Sequence, residues 1–125
     1  MTKTIKEINN QAKINRQEIN RQEVYKILTE IPLGFVTTYK IITNTLKNRQ
    51  KISSNAIRAV ATIIGKNQNL IQIPCHRVVL SSGEIGNYAR GVEEKISLLK
   101  QEGIIIKNNK IANINQKIYR FPNDL

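Results

Sequence analysis

The chain has 125 residues, with 20 Lys and Arg against 9 Asp and Glu, a net charge of +11 and a sequence pI of about 10.1. Its one cysteine excludes an internal disulfide framework, its one histidine leaves no Cys/His cluster for tetrahedral zinc, and no run of 18 apolar residues could span a membrane. The length supports one domain, or one domain with a tail, and can bury a core without staples. Cysteine usage and a start, Met1-Thr2-Lys3-Thr4-Ile5-Lys6, without an apolar signal region make the reduced cytoplasm the expected location. A basic surface attracts polyanions, so nucleic acid is the expected partner class. The richness in Ile, Lys and Asn is also what A/T-rich codons would produce. Aromatics are only 5%, which argues against a broad base-stacking platform.

Residues 1–19 are polar, with Ile5, Ile8, Ala12, Ile14 and Ile19 irregularly spread, and read as a tail or a marginal helix. Asn20 followed by Glu23 signals a helix start. Val24, Ile27, Leu28 and Ile31 then form one apolar stripe, ended by Pro32 and Gly34. Phe35-Val36-Thr37 is a short extended link. Thr38 caps a helix from Tyr39 to about Leu46, with Ile42 and Leu46 inward, and 47–51 is a basic loop. Ser53 or Ser54 caps the next helix, which runs to about Ile64 with Gly65 just beyond it. Two short helices joined by a polar loop read as a helix-turn-helix. On the second, Ala56, Ile57, Val60, Ile63 and Ile64 gather on one side, and Asn55, Arg58, Ala59 and Thr62 on the other. Small residues around one long cation suit a helix that must lie close in a DNA groove.

Leu70–Ile73 reads as a short strand, and Val78-Val79-Leu80 as another apolar stretch. Ser81-Ser82-Gly83 and Gly86-Asn87-Tyr88 are tight turns. Val92–Glu102 is a helix with Val92, Ile96 and Leu99 as its stripe and Gly103 as its stop. Glu102 falls in the last turn, where the helix dipole disfavours a carboxylate by ~0.3–1 kcal/mol. Residues 104–111 read as a hairpin turning on Asn108-Asn109, because Asn tolerates positive φ. One more strand is expected near Ile118–Phe121.

The only cysteine and the only histidine are neighbours, in Ile73-Pro74-Cys75-His76-Arg77-Val78. A thiol of pKa ~8.5 is mostly protonated at neutral pH, and the thiolate is the nucleophile. An imidazole that takes the proton is the usual remedy. A small buried thiol with no chemistry is the alternative.

That hexapeptide resembles the active-site motif of the O6-alkylguanine-DNA alkyltransferases, the methylated-DNA–protein-cysteine methyltransferases. The resemblance extends in order and spacing over roughly residues 22–103. It takes in Gly34-Phe35-Val36-Thr37-Thr38-Tyr39, Arg58-Ala59-Val60, Asn67, Ser81-Ser82-Gly83, Gly86-Asn87-Tyr88 and Glu102-Gly103. It implies a mainly α fold with short strands, a winged-helix-like helix-turn-helix domain over 20–125, with the family's N-terminal ribonuclease-H-like domain largely absent. It implies a monomeric, single-turnover DNA repair protein without metal or cofactor. Its partner would be double-stranded DNA carrying O6-alkylguanine, flipped from the stack before the alkyl group moves to sulfur. Cys75 would be the acceptor, His76 the base through a water, Glu102 the group that orients His76, and Asn67 a buried brace. Arg58 would fill the gap left by the flipped base. Tyr39 would contact the target nucleotide, with Thr38, Ala59 and Ser81 also on the DNA side. Val78, Tyr88 and Ala89 would line the substrate pocket, and Arg77 would be a structural partner beneath the motif.

Two departures stand out. Many members carry Ser where this chain has Ala89 and a small residue where it has Arg90, which bears on the alkyl groups admitted. Only about 19 residues precede the first helix. Three other classes compete. A lesion binder without chemistry would lack Cys75; a major-groove regulator would need several base-reading side chains on the second helix; a Cys-His-Glu hydrolase would need an oxyanion hole and turnover.

Overall fold

The computed structural model describes residues 19–49, 51–52 and 56–122. The expected tail over 1–18 and the caps Ser53 and Ser54 lie outside them. The first helix, α1, covers Arg21–Leu28, and the Asn20 side chain accepts the Gln22 N–H at 2.8 Å. Glu23 reaches across to Lys51, at 3.7 Å. Val24, Ile27 and Leu28 are buried, as is Ile31 just past the helix. Ile19, placed in the tail by sequence, belongs to the same core.

A two-residue strand, β1 (Thr37–Thr38), leads into α2 (Tyr39–Asn48), two residues longer than expected. The Thr38 hydroxyl caps it by accepting the Ile41 N–H at 3.1 Å. Thr43 and Thr45 are buried within α2, and each hydroxyl donates to the carbonyl four residues back, Tyr39 and Ile41 respectively, both at 2.8 Å. That is how a helix hides threonine without orphaning its oxygen. The third helix, α3, covers Ile57–Gly65. Gly65 is its last residue rather than the one beyond, because Lys66 ends it with negative φ and needs no left-handed residue. Val60 and Ile64 are buried, whereas Ile57 is 37% exposed and does not join the core. α1, α2 and α3 pack on one another as a helical bundle containing the helix-turn-helix.

The expected strand at Leu70–Ile73 is a turn instead. Ile71 stands at φ 78°, an unusual conformation for a β-branched residue. The cause is local capture of the backbone. The Asn67 amide donates to Ile73 O at 2.8 Å, its oxygen accepts the Asn69 N–H at 2.9 Å, and the Ile73 N–H reaches Asn69 O at 3.0 Å. Those groups have nothing left for a ladder.

After a 3-10 turn at Cys75–Arg77 comes β2 (Val78–Val79), parallel to β1 with Thr37 opposite Val78 and Thr38 opposite Val79. Successive strand residues face opposite ways, so this short pair partitions the interior. Val78 enters a core with Ile27, Ile42, Leu46, Val60 and Ile64. Val79 enters a second core with Val36, Ile85, Leu99, Ile104 and Ile111. Helix α4 (Val92–Gln101) ends at Glu102, its C-cap. The hairpin β3 (Ile106–Lys107) and β4 (Lys110–Ile111) turns on Asn108 and Asn109, at φ 52° and 63°. Both are left-handed, as a primed turn demands. A short helix, α5 (Ile114–Lys117), follows.

The last expected strand is reduced to one bridge, Val36 with Ile118. It is well fastened all the same. The Val36 N–H donates to Lys117 O at 2.9 Å, the Tyr119 N–H to Val36 O at 2.6 Å, and the Thr37 hydroxyl to Tyr119 O at 3.0 Å. Phe121, 9% exposed, packs edge-on to Tyr119 in the first core. We expect Phe121→Ala to cost about 3 kcal/mol of unfolding free energy, the low end for a buried aromatic, read from urea midpoints. A midpoint shift within error would mean that this segment is not part of the core.

Candidate active site

Pro74 and the 3-10 turn present Cys75, His76 and Arg77 in sequence from one rigid step. The turn is closed by the Cys75 N–H to Ile73 O at 2.7 Å and the Arg77 N–H to Pro74 O at 3.0 Å. Cys75 is 5% exposed and His76 fully buried. His76 Nε2 lies 2.9 Å from Glu102 Oε2. Arg77 grips the same carboxylate twice, Nε to Oε1 and Nη2 to Oε2, both at 2.9 Å, and donates from Nη1 to Ile31 O at 2.8 Å. Burial pushes the Glu102 carboxyl up, but hydrogen bonds from Arg77 and His76 outweigh it and hold it below the usual range. An ionised carboxylate only accepts. Nε2 must therefore carry the imidazole proton, which leaves Nδ1 as the bare lone pair. Nδ1 is buried and meets no donor among the described residues. Burial, against the pull of Glu102, also holds His76 below its ordinary value. The ring is thus neutral near pH 7, with its acceptor nitrogen free to take a proton.

The thiol beside it is hard to ionise. Burial pushes Cys75 up, and the Asn67 amide and the Lys95 charge only partly offset it. A cavity of about 540 Å³ is lined by Tyr39, Ile57, Arg58, Tyr88, Ala89 and neighbouring residues. Burial, then the thiolate charge of Cys75, raises the pKa of both Tyr39 and Tyr88, and both pack against the core cluster that contains Cys75.

A sequence profile of the 6-O-methylguanine DNA methyltransferase DNA-binding domain matches residues 20–104. The chain belongs to this family. It is 37% identical over 100 residues to a bifunctional methyltransferase/endonuclease of Picrophilus torridus, covering 80% of this chain and 31% of that one. It is 42% identical over 87 residues to a methylated-DNA–protein-cysteine methyltransferase of Metallosphaera sedula, covering 70% of this chain and 51% of that one. A crystal structure of Mycobacterium tuberculosis OGT in complex with DNA superposes with a TM-score of 0.59 at 36% identity, covering 66% of this chain and 48% of that one. The chain spans about half the length of most curated methyltransferases it matches.

In this methyltransferase-family domain the expected site residues fall into two groups. Cys75, His76, Glu102 and Asn67 converge, the last 3% exposed and tying the end of α3 to the motif. Arg58, Tyr39, Tyr88 and Ala89 line the cavity, which none of the first four residues lines. Ala59 is exposed on the outer face of α3. Val78 is fully buried below the turn, its N–H donating to Cys75 O. Thr38 and Ser81 do not line this cavity; they meet at a separate depression, with the Thr38 hydroxyl already engaged as a cap. No helix among the described residues is long and apolar enough to cross a membrane.

One residue at the site escaped the sequence reading. Lys95 is fully buried on α4, its Nζ donating to Asn87 O at 3.0 Å. The signal was present: position 95 falls between Val92 and Leu99 on the apolar stripe, and a lysine there is out of place. Gly86 packs beside it, at a left-handed φ of 76° that favours glycine. Burial lowers Lys95 to about 8, with the Cys75 charge pulling the other way. A folded pKa below the unfolded 10.5 is a destabilising contribution at neutral pH, relieved as pH rises from about 8. We therefore expect the stability of Lys95→Met relative to the unaltered chain to fall by about 3 kcal/mol between pH 7 and pH 10. Urea unfolding across that range measures it; a difference constant with pH would refute the assignment.

Proposed function

We propose that residues 20–125 act as a DNA repair unit that takes the alkyl group of O6-alkylguanine in duplex DNA onto Cys75, once. The observation that carries this reading is the buried Cys75 beside a histidine whose Nε2 is pinned by Glu102 and whose Nδ1 is a free acceptor. The family membership and the DNA complex of the M. tuberculosis relative support DNA as the partner.

In this reading Nδ1 of His76 takes the Sγ proton through a bridging water. The thiolate attacks the alkyl carbon in line, the S–C bond forms as the C–O6 bond breaks, and guanine leaves as an anion that takes a proton from solvent while His76 gives up its own to solvent. Lys95 lends positive charge while the thiolate exists. The alkyl carbon is inaccessible to in-line attack inside a stacked duplex, so the base must leave the stack. Arg58, exposed on α3 at the cavity rim, takes its place, and Tyr39 steers the nucleotide. Tyr88 and the backbone of Ala89 line the receiving pocket. Nothing in this scheme releases the thioether, so the chain is consumed.

A duplex oligonucleotide with one O6-methylguanine tests it by intact mass. One methyl gained per molecule, on Cys75, with guanine restored and no turnover, is the expected result. An unchanged mass with retained lesion binding would point to a recognition module, and repeated turnover to a hydrolase. Arg58→Ala should slow transfer from duplex about tenfold or more, the effect of ~1.4 kcal/mol lost in the flipped state, while reaction with free O6-benzylguanine changes little. Equal slowing of both would remove Arg58 from base displacement.

A further inference from the structure

Beside the active-site cavity lies a second pocket, of about 590 Å³, whose lining includes Arg21, Tyr25, Lys66, Gln68 and Asn69. No carboxylate lines it. Arg21 opens α1 and Lys66 caps the end of α3, so two helices each bring one cation to the same place. Neither has an ion-pair partner among the described residues, whereas Arg49, Lys51, Arg77 and Arg90 each have one. Glu23, the acidic residue in the first turn of α1, reaches Lys51 instead. The frame that carries the two cations is fixed. The Tyr25 hydroxyl on α1 donates to Ile63 O on α3 at 3.1 Å, and the Lys66 N–H donates to the same carbonyl at 3.1 Å. Two cations on such a frame, with no internal anion to satisfy them, suit a doubly charged phosphate.

The relation to the active-site cavity decides what that phosphate belongs to. The two pockets share Gly65 and Ala89. A Cβ on Gly65 would meet nothing within 4 Å, so the border between them is open at that residue. Arg58 and Tyr39, assigned above to the duplex, line the cavity and not this pocket, so its cations are additional to them. A nucleotide carries its phosphate one sugar away from its base, and these two neighbouring sites stand in that order. We propose that the pocket seats the 5′-phosphate of a free O6-alkylguanine nucleotide whose base occupies the cavity, with Arg21 and Lys66 as the phosphate ligands. The step is the one described for duplex DNA: the S–C bond to Cys75 forms, the C–O6 bond breaks, and the guanine nucleotide leaves as an anion that takes a proton from solvent, while His76 passes the thiol proton to solvent. No stack has to be opened, so Arg58 has no part in it. The proposal rests on the transfer to Cys75 and adds a second substrate class to it.

Intact mass followed over time tests this with O6-methyl-2′-deoxyguanosine and its 5′-monophosphate at equal concentration. The nucleotide should methylate Cys75 about tenfold faster than the nucleoside, the effect of one charge-assisted hydrogen bond. Arg21→Gln with Lys66→Gln should bring the nucleotide down to the nucleoside's rate, with the nucleoside's own rate and the melting temperature unchanged. Lys100→Gln with Lys107→Gln removes equal charge elsewhere and should keep the preference for the nucleotide. Equal rates for nucleotide and nucleoside in the unaltered chain, or equal loss of preference in both double variants, overturn the proposal, while methyl transfer from duplex by the same preparation keeps the repair reading standing. Slower duplex transfer in the Arg21/Lys66 variant, with no nucleotide preference to lose, also overturns it and gives the two cations to the DNA strand. Transfer from none of the three substrates would overturn the role of Cys75 itself.

Discussion

Two parallel hydrogen bonds from Arg77 hold the carboxylate of Glu102 at the C-terminus of α4, and the chemistry of the site depends on that grip. Unaided, the carboxylate would face the negative end of a helix and partial burial, both of which favour its protonated form. A protonated Glu102 could donate, and the tautomer of His76 would no longer be determined. With Arg77 in place the carboxylate stays an acceptor, Nε2 keeps its proton, and Nδ1 is left to act. The third bond, from Arg77 to Ile31 O, ties the end of α1 to the same point. One guanidinium thus joins the helical bundle, the reactive turn and the end of α4.

Around that point the site balances opposing pressures. Burial disfavours both the thiolate of Cys75 and the ammonium of Lys95, yet each charge favours the other. A group that is costly to bury and feels the charge of the proposed acceptor sulfur fits a trade of stability for chemistry. The pair also makes the thiol quiet by default. Without a substrate to accept the sulfur's electrons, the protonated thiol is the favoured form at neutral pH.

Local features of this fold were the readable ones. Asn20 and Thr38 cap their helices through side chains whose chemistry is visible in one dimension, and Asn108-Asn109 turns the hairpin for the same reason. The juxtaposition of Cys75, His76 and Glu102 was legible through the order and spacing of family motifs, not through periodicity. Leu70–Ile73 misled because its apolar run suits a strand but its backbone groups are claimed by Asn67 and Asn69, a local effect that no period reveals. Ile57 misled because a helical wheel shows a side and not its neighbour: that face turns partly into the cavity rather than wholly into the core.

The fastening of Val36 has a consequence for the order of events at the ribosome. Val36 uses its N–H and its carbonyl on Lys117 and Tyr119, and Thr37 adds a bond to Tyr119. The strand that supports the reactive turn is therefore complete only after residue 119 has emerged. A nascent chain with Cys75 already exposed lacks this support.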